Sequence, residues 1–239
     1  MKNLRHFLVV ILALGITFSA EGQIRKTVYG NNHVVKKDRN AGHFTGIRVS
    51  SGIDVYLKQT GSESITVEAD ENLHEYILTE IRDGVLHVYS DANIREAEMK
   101  RVYVTMKDIR SLKTSSAGDL IGESPVTADE LELSASSAGD IKLELKAETV
   151  NIDISSSGDM TLSGEADMMD ADLSSAGDLN AYGLAVREAD VSVSSAGDAD
   201  ITVTEKLKAR ASSAGDINYR GNPKYIDAHS SSAGGIHRK

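Results

Sequence analysis

The pentapeptide SSAGD begins at Ser115, Ser136, Ser174, Ser194 and Ser212, with the variants SSSGD at Ser155 and SSAGG at Ser231. The motif glycines Gly118, Gly139, Gly158, Gly177, Gly197, Gly215 and Gly234 are therefore spaced by 21, 19, 19, 20, 18 and 19 residues. A period near 19 is too short for helical-pair repeats or propeller blades. It suits a coil in which every turn stacks on the one before.

Alignment on those glycines sorts the chain into columns. Six residues before each glycine stand Leu112, Leu133, Ile152, Ala171, Val191, Ala209 and Ala228; four before stand Thr114, Ala135, Ile154, Leu173, Val193, Ala211 and Ser230. The positions between are polar and include Asp153, Asp170, Asp172, Asp190, Lys208 and Arg210. Two residues after the glycine the apolar series resumes with Leu120, Ile141, Met160, Leu179, Ala199, Ile217 and Ile236. This period-2 alternation predicts strands with one buried face, joined by a tight corner at the motif. Length differences fall in the connection between turns, where exposed loops tolerate them.

Within the corner, continuing the alternation directs the second serines, Ser116, Ser137, Ser156, Ser175, Ser195, Ser213 and Ser232, inward as a ladder of hydroxyls that satisfy one another. The glycine is expected to adopt a positive φ that side chains resist. The aspartates Asp119, Asp140, Asp159, Asp178, Asp198 and Asp216 form a column. At a rung spacing of about 4.8 Å, neighbours repel by roughly 0.9 kcal/mol in water. Each Asp is expected to accept a backbone N–H of its own corner. The alternative is a cation ladder, in which Asp140, Asp159, Asp178, Asp198 and Asp216 are bridged by Ca²⁺; no other cofactor is expected.

Residues 44–112 carry the same register less regularly. SSGID at Ser50 reads as a degenerate corner, ENLHEYI as one helical turn, and ILTEIRDGVLHVYS as a hairpin turning at Asp83-Gly84.

At the amino terminus, Lys2 and Arg5 precede an apolar run from Phe7 to Phe18 and then small residues at Ser19, Ala20 and Gly22. This is a signal-peptide pattern; cleavage after Ala20 or after Gly22 satisfies the small-residue rule, and Gly22 is the expected site. No later stretch approaches the roughly 20 apolar residues of a membrane-spanning helix. The organisation expected is a signal peptide at 1–22, a polar lead-in at 23–42 and one domain at 43–239, irregular to residue 112 and regular from 113. An exported chain without cysteine has no disulfides, so its core must hold it. Its net charge of −10, or −11 once residues 1–22 are removed, argues against nucleic acid as a partner.

The segments FTGIRVSSGIDVYLKQ, DENLHEYILTEIRDGVLHVY and RVYVTMKDIRSLKTSSAGDL, followed by the repeated corners, resemble the putative auto-transporter adhesin, head GIN domain family of exported bacterial proteins. The resemblance spans about residues 40–239. It implies a right-handed parallel β-helix-like solenoid and a surface or adhesion role, and it supplies no catalytic residue. No long translocating β-barrel follows residue 239, so self-transport is not expected from this sequence.

The functional expectation is a non-catalytic binding or structural module of the periplasm, cell surface or secreted fraction. Its partner would be an envelope polysaccharide or a surface or periplasmic protein, and it would act as a monomer or dimer. The histidines form no metal-binding pair, and no nucleophile elbow or phosphate loop is present. A repeated serine is also a poor nucleophile, because catalysis needs one made different by a base. The alternative is a polysaccharide lyase or hydrolase using the outward acids Asp153, Asp170 and Asp172.

Overall fold

The computed structural model describes residues 25–239, so the expected signal peptide lies outside the described residues. The amino-terminal strands are β1 (Thr27–Tyr29), β2 (Val34–Arg39), β3 (Gly46–Val49), β4 (Asp54–Gln59), β5 (Ser64–Asp70), β6 (Ile77–Arg82), β7 (Val85–Ser90), β8 (Asn93–Glu96) and β9 (Lys100–Met106). The regular part contains β10 (Ser111–Thr114), β11 (Asp119–Gly122), β12 (Val126–Ser136), β13 (Asp140–Ser155), β14 (Asp159–Leu173), β15 (Asp178–Val193) and β16 (Asp198–Ala211). The last turns are β17 (Asp216–Arg220), β18 (Tyr225–Ser230) and β19 (Gly235–Arg238). A 3-10 turn at Glu71–Leu73 stands where one helical turn was expected.

The chain is an all-β solenoid of about seven turns with rungs of roughly 19 residues. Each regular rung lies parallel on the next with like columns in register, as in Leu133↔Ile152↔Ala171↔Val191↔Ala209↔Ala228. The inward columns are fully buried from Leu112 to Ala211, and open to solvent only at the last rung, at Ala228 and Ser230. At about 25 cal/mol per Å² of apolar surface removed from water, burial of such columns is the main stabilising contribution.

One inward residue is out of place chemically. Thr114 is 2% exposed and its hydroxyl has no partner, in a column whose other buried members are Ala135, Ile154, Leu173, Val193 and Ala211. An unsatisfied buried hydroxyl costs about 1–3 kcal/mol. Thr114→Val should therefore raise the urea midpoint, corresponding to about 1 kcal/mol of stability; an unchanged or lowered midpoint would show that the hydroxyl is satisfied.

The corner differs from the sequence expectation in two ways. It is a four-residue turn closed by the Gly118 N–H donating to the Ser115 carbonyl at 3.1 Å, with φ of 52° at Ser116 and 56° at Ala117. The same pair of positive φ values recurs at every motif, the signature of a type I′ turn. The left-handed residues are thus the second serine and the alanine, not the glycine. Two such residues in succession curl the chain instead of pleating it, so the alternation stops there. Ser116, Ser137, Ser156, Ser175, Ser195, Ser213 and Ser232 accordingly face solvent, and there is no inward hydroxyl ladder. The ladder that does pass through the corner is backbone: the Ala117 N–H donates to the Ser137 carbonyl at 3.1 Å, and Ala138 to Ser156 at 3.2 Å.

The glycine has a different reason to be glycine. Gly118, Gly139, Gly158, Gly177, Gly197 and Gly215 are buried at the corner, and Gly234 is half-buried. A Cβ built on Gly158 would stand 2.6 Å from the Ala135 carbonyl carbon and oxygen of the adjoining rung. SSGID confirms this from the other side. Ser51 and Gly52 take the two positive φ values (68° and 62°), and a fully buried Ile53 occupies the glycine position. There the neighbouring chain leaves the stack after Ser90 toward β8, so no adjoining corner lies beneath it.

The amino-terminal half does not stack in chain order. β3 lies between β7 and β10, and β4 between β9 and β11, so the first rung is inserted between a later one and the regular stack. Beyond it the direction reverses: β6 pairs antiparallel with β7 through the expected Asp83-Gly84 hairpin, β5 pairs antiparallel with β9, and β2 with β5. Residues 34–39, expected as part of a polar lead-in, are therefore an edge strand. Its Lys36 and Lys37 are exposed, which suits a strand that ends a sheet.

Candidate functional site

Two outward features stand at rung spacing, the Asp column at the corner and the polar face of the strands leading into it. In the Asp column, Asp54 pairs with Asp119, and the series continues in register through Asp140, Asp159, Asp178 and Asp198 to Asp216, which pairs with Gly235. Burial, and after it the neighbouring carboxylates, push Asp119, Asp159, Asp178 and Asp198 above the ordinary carboxylate range. Backbone N–H groups of the next rung, at Asp140, Asp198 and Asp216, oppose this at Asp119, Asp178 and Asp198. Among the described residues, no group of three His, Cys, Asp or Glu side chains is arranged to hold a metal ion.

A raised pKa means that the folded chain holds the proton more tightly than the unfolded one. The repulsion is then fully present at neutral pH and relieved as pH falls through the raised values. The double variant Asp178→Asn, Asp198→Asn should melt higher than the parent at pH 7, by on the order of 1 kcal/mol at low salt. The gap should close toward pH 4; a gap independent of pH would dismiss the repulsion. Repeating the comparison with Ca²⁺ tests the cation ladder, which requires the parent alone to gain stability.

The second feature covers the outward side of the strand segments that precede each corner. Asp153, Asp172, Ser192, Arg210 and His229 form one column in register from β13 to β18. Two residues earlier stand Asn151, Asp170, Asp190, Lys208 and Asp227, and two before those Thr149, Met168, Glu188, Lys206 and Tyr225. The first column and the first serines of the corners line a trough of about 520 Å³. Met168, Asp170, Asp190, Lys206 and Lys208 line a smaller one of about 230 Å³ beside it.

Register brings Asp153 and Asp172 together as cross-rung neighbours, while Asp170 lies in the adjoining trough between Asn151 and Asp190. Burial raises the Asp170 pKa first, with Asp172 and Asp190 adding to it and Lys208 opposing. Asp190 is paired with Lys208 at 3.1 Å and Arg210 at 3.2 Å, and Glu188 with Lys206 at 3.7 Å. The face is therefore polarised along the solenoid axis, acidic on β13 and β14 and basic on β16. Reading only the acids as candidates missed that basic end, although Lys208 and Arg210 stand in the same glycine-aligned columns. Chemically, the face offers rows of acceptors and donors in open troughs, an arrangement suited to an extended polar ligand.

Residues 43–223 match the family described as putative auto-transporter adhesin, head GIN domain. The chain belongs to this family. Solved structures agree with the head GIN domain fold. A putative adhesin from Bacteroides fragilis is 20% identical and superposes with a TM-score of 0.84, covering 89% of this chain and 100% of that one. Putative adhesins from Parabacteroides merdae and Parabacteroides distasonis are 26% and 25% identical, with TM-scores of 0.72 and 0.74. Each covers 90% of this chain, and 99% and 100% of the respective neighbour. No curated protein matches the chain. Among the described residues no helix is long and apolar enough to cross a membrane.

Proposed function

We propose that this head GIN domain is a non-catalytic, exported binding module of the cell envelope or surface, and that it holds an extended polymer against the outward face of β13 to β18. The observation that carries the reading is the column Asp153, Asp172, Ser192, Arg210 and His229, with polar groups repeating at rung spacing along an open trough. Repeated groups suit a repeated ligand, and a polysaccharide supplies hydroxyls along its length. The adhesin names of the family and of its structural neighbours point the same way. The enzyme reading gains nothing from the geometry, since Asp153 and Asp172 share one row of an open groove with no distinct nucleophile or base.

The test is co-sedimentation with isolated envelopes and with a panel of insoluble polysaccharides, with soluble sugar ends measured in the same tubes. Retention without sugar release is expected, with at least tenfold weaker retention for the triple variant Asp153→Ala, Asp172→Ala, Arg210→Ala. Sugar release abolished by Asp172→Asn would instead establish a polysaccharide-degrading enzyme. Retention unaffected by the triple variant would move the binding surface elsewhere.

A further inference from the structure

The two ends of the solenoid are finished differently. The amino-terminal end finishes in the antiparallel strands β2 and β6, with lysines exposed on the β2 edge, whereas the last rung, β18 and β19, continues the parallel stack and is paired on one side only. Every residue of β18 is exposed, including Tyr225 at 72% and Ile226 at 49%. Ile226 and Ala228 are in register with the buried Leu207 and Ala209, and no described strand covers the core columns beyond them. A bare strand edge with apolar side chains is a template for further pairing.

We propose that this edge pairs with the same edge of a second copy, strand β18 antiparallel to its symmetry mate about a two-fold axis through Ala228. The backbone sets which registers are available. The Ser231 N–H donates to Ala211 at 3.0 Å, within the molecule. Alternation along the strand then directs the N–H and C=O of Ile226, Ala228 and Ser230 to the open side. A two-fold pairing must place these residues opposite one another, and the centres that engage at least two of the three are Asp227, Ala228 and His229. Centring on Asp227 opposes two like carboxylates, and centring on His229 opposes two imidazoles. Centring on Ala228 sets Asp227 of each copy opposite His229 of the other, twice over, in the closely spaced pair that forms no backbone hydrogen bonds. It also places Ala228, the smallest side chain of the strand, at the axis, with Ile226 opposite Ser230. Within one copy the Asp227 carboxylate already lies 2.8 Å from the His229 ring, so the two groups are matched in height above the sheet. The contact is isologous and closes as a dimer rather than a fibre.

Sedimentation equilibrium of the purified chain over a concentration series should show a dimer. Ala228→Pro removes the central amide hydrogen, which the intramolecular ladder does not use, and should raise the dissociation constant at least tenfold with the far-UV spectrum unchanged. Asp227→Arg should weaken the dimer, and adding His229→Asp should restore it, a pair of variants that reports even if the proline perturbs the strand. The chain has no cysteine, so the register can be tested by oxidation. Ala228→Cys should cross-link two copies, since directly opposed residues stand about 5.5 Å apart, within disulfide reach, whereas Ile226→Cys should not. A monomer at all concentrations, or a dimer indifferent to both Ala228→Pro and Asp227→Arg, would overturn the proposal.

Discussion

Gly158→Ala should destabilise the chain by about 3 kcal/mol, at the upper end of what overpacking costs. The added methyl would stand 2.6 Å from the Ala135 carbonyl carbon and oxygen and 2.8 Å from the Ser136 nitrogen. All three atoms are backbone of the adjoining rung, held in a parallel ladder on which β13 and β14 also rest, so none can yield like the end of a flexible side chain. Backbone conformation adds nothing to this cost, because Gly158 is not among the residues with positive φ, so the clash alone accounts for it. The comparison is Ser157→Ala, one residue away, which restores the alanine of the other corners at an exposed site and should change stability by less than about 0.5 kcal/mol. Urea denaturation followed by circular dichroism decides it. A Gly158→Ala midpoint equal to that of Ser157→Ala would mean that the rungs part to admit a side chain, and that the motif glycine is kept for another reason.

Asp70→Ala should be as costly, but in a different part of the molecule. Asp70 is fully buried at the end of β5. Its Oδ1 accepts the Asn32 N–H at 2.6 Å, and its Oδ2 accepts the N–H groups of Glu98 at 2.8 Å and Met99 at 3.2 Å. One carboxylate thus ties the β1–β2 turn and the β8–β9 connection to the strand between them. Hydrogen bonds to a charged group contribute about 1.5–3 kcal/mol each, and a buried backbone N–H left without its acceptor costs about 1–3 kcal/mol. The expected loss for Asp70→Ala is of that order. In a stack whose rungs contact only their neighbours, such damage stays local. Hydrogen exchange should therefore speed up at Asn32, Glu98 and Met99 while the amides of β13 to β15 stay protected. Uniform loss of protection along the whole solenoid would instead show that the amino-terminal strands are required for every rung.

Both residues bear on what could be read before the fold was known. Gly158 was legible as a fixed point of the repeat, and the columns built on it, such as Leu133, Ile152, Ala171 and Val191, are buried as their spacing implied. Alternation and rung length are local properties of an extended chain, so a period of 19 residues carries them directly. Asp70 gave no signal, because its three donors come from segments 28 to 38 residues away in sequence. The polarised outward face was half legible: its acids drew notice as a pair, while its cations gained meaning only when register set Lys208 and Arg210 beside Asp190.

The sequence by itself determined that this chain is an all-β solenoid, where each turn has its corner, and which side chains fill the interior, because a repeat writes the same backbone pleat again and again. Tertiary structure decided the rest. Two successive left-handed residues turned the second serines outward, and contact between rungs rather than φ demanded the glycine. Competition for strand edges placed β3 and β4 between strands that follow them in the chain, and it left β18 with an edge that no other described strand covers. These outcomes depend on what a neighbouring rung presents, and a rung's neighbour is fixed only once the chain has coiled.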